Sequence, residues 1–147
     1  MRILLSMLVL GSGFAIGIHL AMNARAADLL ENVAVNQMFF WLTGFLVAAA
    51  LGAASWSPRV LANAKQVPWY LYTAGAIGAP LILSIAWTIP RLGAGRTMVF
   101  MLTGQIVGGM VVSHFGWFGM QLDRVTVLRL VGVSVMLLGA SLTLFSR

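Results

Sequence analysis

The amino-acid sequence predicts an all-α membrane protein, a bundle of five transmembrane helices forming a single domain. Three observations predict it. Of 147 residues, 61% are hydrophobic and 8% charged, whereas an ordinary soluble domain is about 25% charged. The charged residues stand mostly alone and delimit five long apolar runs. A helix needs about 20 apolar residues to cross the hydrocarbon, so five consume about 100 and leave no room for a soluble catalytic domain. Helices are required because lipid offers the backbone no hydrogen-bond partner.

Span 1 runs from Ile3 to Met22. With Arg2 and Ala24-Arg25-Ala26 it resembles a signal peptide, but the apolar run is long for one and polar at its far end. Asp28 and Glu31 then fall in the first loop. Span 2 covers Val33 to Ala54, and Ser57-Pro58 breaks the chain after it. Span 3 covers Val67 to Ile89, with Pro68 in the first turn, where a missing N–H costs little. Pro90 is expected to end it, with Gly93 and Gly95 making a short connection. Span 4 covers Thr97 to Phe115 and span 5 Val125 to Phe145. Asp123 is expected to cap span 5, and Arg129 to snorkel from its first turn.

Nine Lys/Arg against three Asp/Glu give a net charge of +6. No basic cluster occurs, so these charges read as flanks beside anionic lipid and not as a nucleic-acid surface. Five spans set Arg2, Arg59, Lys65, Arg124 and Arg129 on one side and Arg25, Arg91, Arg96 and Arg147 on the other. That bias is too small to fix orientation by the positive-inside rule. Two readings stay open: a fixed orientation, or dual topology, in which chains insert both ways and pair antiparallel as inverted repeats do.

No Asp or Glu lies inside a span. A proton-driven exchanger that trades protons for a cation on a buried carboxylate is therefore excluded. The chain has no cysteine, and no metal-ligand spacing, nucleotide loop or triad is present. The sequence points away from an enzyme and calls for no metal or cofactor.

The polar groups within spans are few. His19 and Asn23 are spaced i, i+4 and share a helix face. They either line a wet vestibule or bond across to another helix. His114, among Phe115, Trp117 and Phe118, reads as interfacial, as do Trp56, Trp69, Tyr70, Tyr72 and Trp87. Gln105 sits mid-span, where an amide must pair or face a cavity. Its neighbours Gly104 and Gly108 either allow close helix packing or let a solute approach the backbone. Pro80, beside Gly75 and Gly78, removes a donor and clashes with the Ala76 carbonyl, so a kink or local unwinding is expected. Trp41 lies too deep for an interfacial belt and is either core or an aromatic wall for a solute.

In order along the chain, Gly17-x-His19-x-x-x-Asn23, an aromatic before Gly44, Pro68-Trp69-Tyr70, Pro90-Arg91-Leu92-Gly93-Ala94-Gly95, Gly104-Gln105-Ile106-Val107-Gly108 and His114-Phe115-Gly116 form a pattern. It resembles the YdcZ-like family of small inner-membrane exporters, in the drug/metabolite transporter superfamily. The resemblance spans nearly the whole chain. It implies a multi-pass protein of the bacterial inner membrane, built as half of a ten-helix transporter. Two positions depart from the family's pattern: His19 stands where it has Gln, and Ser113 where it has Asp. The first bears on what a pocket recognises or adds a titratable group; the second removes the one acidic group that the pattern would place near the end of span 4.

Together these readings lead to a small-molecule transporter, exporting or exchanging by alternating access, as a homodimer that is antiparallel if topology is dual. Its substrate would be neutral or amphipathic and held among spans 1 to 4 by His19, Asn23, Trp41, Pro80 and Gln105. The rival reading is a non-transporting membrane subunit assembled with a larger membrane partner.

Overall fold

The structure is a computed structural model that describes residues 1–145, with the side chains of Arg2, Thr143 and Leu144 left aside. Among the described residues it is all-helical, without a strand.

Helix α1 spans Arg2–Leu29, seven residues past the expected end of span 1. The extension follows from Ala24, Ala26 and Ala27, strong helix formers with no Gly or Pro among them. An i, i+3 ion pair, Arg25 to Asp28 at 2.6 Å, lies on its surface. Asp28 is therefore helical and not in the loop, which shrinks to Leu30, Glu31 and Asn32. Helix α2, Val33–Ala54, keeps the expected boundaries. Asn32 caps it, its Oδ1 accepting from Val35 N at 3.0 Å.

Ser57-Pro58 does more than break the chain. Ser57 caps a short helix α3, Pro58–Ala64, with Pro in its first turn. A 3-10 turn, Trp69–Thr73, follows and leads into α4, Ala74–Leu92. The Tyr72 hydroxyl donates to the Ala64 carbonyl at 3.0 Å and ties that turn to α3. Pro90 does not end the helix, which continues to Leu92. A proline near a helix end forfeits one bond, to the carbonyl four residues back, and its fixed φ suits the last turn. Gly93, at φ 85°, makes the actual stop. Pro80 likewise lies inside an unbroken helix, so the expected unwinding is absent; what remains is the Ala76 carbonyl without its usual donor.

Helix α5 spans Ala94–Phe115, one turn earlier than expected, and closes on Gly116 in the left-handed region. Helix α6 spans Val127–Phe145. Asp123 does not cap it. Thr126 does, its Oγ1 accepting from Arg129 N at 3.4 Å, while the Asp123 carboxylate pairs with the Arg129 guanidinium. Asp123 lies too far ahead of the first helical residue to reach its free N–H groups.

Among the described residues, four stretches are long and apolar enough to cross a membrane: Ile3–Leu29, Val33–Ala54, Trp69–Leu92 and Ala94–Phe115. The apolar part of α6, Val127–Leu142, is shorter.

Packing divides the chain into two units, Met1–Arg91 and the part from Leu92 onward. In the first, α1 and α2 form a helical hairpin. Leu20, Ala24 and Ala27 are its buried apolar residues on α1, one face at helical spacing. The alanines leave room for α2 to approach. In the second unit α5 packs on α6, around an apolar hollow lined by Val107, Val111, Val125 and Val133. The loop after Gly116 is fastened back on α5 by Asp123 N to Ser113 O at 2.9 Å and Val125 N to His114 Nδ1 at 3.1 Å. Much of the large apolar surface is exposed, Phe14 at 75% for example, as a bilayer solvent allows.

Candidate functional site

The most polar interior of the first unit lies where the C-terminal third of α1 meets the start of α2. Asn23, Asn36 and Gln37 are buried there at 5, 4 and 6% exposure. Asn36 Nδ2 donates to Asn23 Oδ1 at 2.7 Å and to the Asn23 carbonyl at 3.1 Å. Gln37 Nε2 donates to the same Oδ1 at 3.5 Å. One acceptor atom on α1 thus gathers two amides of α2. In a membrane such an interhelical bond is worth about 1 kcal/mol.

The register explains the next turn. One turn back on α1 is His19, and one turn on along α2 are Phe40 and Trp41. The His19 ring lies 4.9 Å from that of Phe40, and Phe40 meets Trp41 edge-on at 5.4 Å. The i, i+4 pairs 19/23 and 36/40 run antiparallel and stay in step, because successive turns of two helices stack on facing sides. Trp41 in turn covers α4: its Cη2 lies 3.8 Å from where a β-carbon on Gly78 would stand. An amide layer therefore grades into an aromatic one, walled by a glycine of a third helix.

Two atoms of this layer have no hydrogen-bond partner among the described residues, the donor Asn23 Nδ2 and the acceptor Gln37 Oε1. Leaving such a group buried and unmet costs about 1–3 kcal/mol. Neither is repaired by turning its amide over. Rotating Gln37 would set oxygen against Asn23 Oδ1, and rotating Asn23 would set one NH2 against another.

Of the residues expected at a site, the fold brings together His19, Asn23 and Trp41. His19 is exposed and makes its ring contact with Phe40. Asn23 bonds across helices, as one of its two readings had it, and keeps a free donor as well. Trp41 is 38% exposed, between core and wall. Pro80 is exposed on α4, two residues beyond Gly78. Gln105 lies on α5 in the second unit, exposed, its side chain without a hydrogen bond among the described residues. His114, expected at the interface, accepts from Val125 N and fastens the loop to α5. Asn36 and Gln37 escaped the sequence reading. Their signal was present, since two consecutive amides in the first turns of an apolar span need partners.

A family model described as "Putative inner membrane exporter, YdcZ" matches residues 4–142. No curated protein and no solved structure matches the chain.

Proposed function

Since the chain belongs to the YdcZ family of multi-pass inner membrane exporters, we propose that it carries a small neutral or amphipathic molecule by alternating access, through the layer formed by Asn23, Asn36, Gln37 and Trp41. The observation that carries this reading is the pair of unmet amide atoms on Asn23 and Gln37. Two unmet groups inside a buried layer cost stability, a cost that a solute meeting them would offset. A carrier needs polar groups free to meet a solute in one state and cheap to close in another. His19 and the α4 segment from Gly78 to Pro80 border the path, the freed Ala76 carbonyl being a further acceptor.

Closure in this structure is tight, so transport requires the α1–α2 layer to part. The two unmet groups lower the cost of parting, because water or solute satisfies them once the layer opens. The chain acts as one transmembrane domain and pairs as a homodimer, antiparallel where the near-even split of basic residues lets it insert both ways. Gln105 is a candidate contact carried by α5. Membership in an exporter family supports a carrier over an enzyme.

The Asn23–Asn36 bond favours a second reading, a sealed hairpin within a non-transporting subunit. Reconstitution of the full chain in liposomes with a panel of neutral, cationic and anionic solutes separates the two. Saturable flux of a neutral or amphipathic solute, reduced by Trp41→Ala, is expected. No flux of any solute, in vesicles where the chain is folded, favours the sealed subunit. The absence of native cysteine makes single-cysteine variants at Ser57 a clean test of orientation: labelling from both sides of the membrane is expected for dual topology.

A further inference from the structure

We infer that the Asn23–Gln37 layer recognises the edge of an uncharged amide: a carboxamide, lactam or urea group that presents an acceptor beside a donor. The inference rests on the carrier reading above and adds the chemical class of the solute.

The free atoms of the layer and the edge of an amide are complementary. The free atoms are one donor, Asn23 Nδ2, and one acceptor, Gln37 Oε1. Their sister atoms are already engaged with each other and with Asn36, which holds the two amides beside one another. A carboxylate offers acceptors only, so it would satisfy Asn23 and repel Gln37 Oε1. An ammonium offers donors only and would leave Asn23 Nδ2 unmet. An amide edge offers one of each and satisfies both without carrying a charge into a layer that has no charged residue to balance it. The charged residues nearest to it on α1, Arg25 and Asp28, pair with each other on the helix surface. The aromatic group of His19, Phe40 and Trp41 one turn away offers apolar ring surface to whatever ring or chain bears the amide. Both free atoms are shielded from water in this conformation, so the edge is met in an opened state of the same layer.

The test is equilibrium binding to the full-length protein in lipid nanodiscs, using three radiolabelled probes with one ring and different edges: nicotinamide, nicotinate and 3-picolylamine. The expected result is saturable binding of nicotinamide at least tenfold tighter than of the other two. Gln37→Leu, which removes the free acceptor, should weaken nicotinamide binding at least tenfold. Equal binding of the three, preference for either charged probe, or no binding of nicotinamide overturns the assignment. The comparison on the unaltered chain stands even if the variant fails to fold. Failure here is distinct from failure of the carrier reading. Saturable liposome flux of a solute without an amide edge, unaffected by Gln37→Leu, would sink the edge assignment and leave transport intact.

Discussion

The His19 ring lies 4.9 Å from the ring of Phe40, one helical turn from the hydrogen bond that joins Asn23 to Asn36. Two residues spaced i, i+4 on α1 thus find two residues spaced i, i+4 on α2. This makes one continuous strip, polar at one end and aromatic at the other. The predictions below probe the strip, the helix that walls it and the loop of the second unit.

Asn36→Leu removes the two hydrogen bonds that Asn36 Nδ2 donates to Asn23 and leaves Asn23 Oδ1 only the longer bond from Gln37 Nε2. The fold should lose about 1–2 kcal/mol, read as a lower thermal unfolding midpoint in detergent. An unchanged midpoint would show that the amide layer contributes nothing to the hairpin.

Gly78→Ala should be tolerated, since a β-carbon there meets Trp41 at an ordinary 3.8 Å, and Ala favours a helix by about 0.5–1 kcal/mol over Gly. Gly78→Leu should displace the indole. Tryptophan emission should shift in the leucine variant and stay unchanged in the alanine one.

Pro80→Ala restores an N–H for the Ala76 carbonyl and stiffens α4. The protein should unfold at a higher temperature while solute flux in liposomes falls severalfold. Unchanged flux would mean that the freed carbonyl takes no part in transport.

His114→Phe keeps a ring beside Phe115, now 4.8 Å away edge-on, but removes the acceptor for Val125 N. Amide exchange at Val125 should quicken about fivefold, as expected for losing about 1 kcal/mol of local protection. Exchange at the α5 interior should hold.

Much of the fold is legible in the order of residues. Apolar runs of bilayer length can be nothing but helices in lipid, and α2 begins and ends where its sequence says. The stops are less legible. Pro90 reads as a terminator, yet a proline near a helix end costs one bond, and the left-handed Gly93 sets the limit instead. Ala24 to Asp28 read as lying beyond span 1 because Arg25 and Asp28 are charged, yet helix propensity prevails where the charges pair on the surface. Asp123 reads as a cap, but a cap works only within reach of the first turn, and Thr126 holds that place.

What the order of residues determined is the solvent and the span: a chain so poor in charge folds in lipid as helices, and its family pattern runs along it from end to end. What only tertiary structure decided is which polar groups meet. Asn23 could have faced lipid headgroups, a vestibule or another helix. The antiparallel register of α1 and α2 sets it against Asn36 and Gln37, brings His19 onto Phe40, and leaves one donor and one acceptor without partners. Spacing along one helix tells which residues share a face. The face they meet depends on how two helices are offset, and the alanines let them close once that offset is taken.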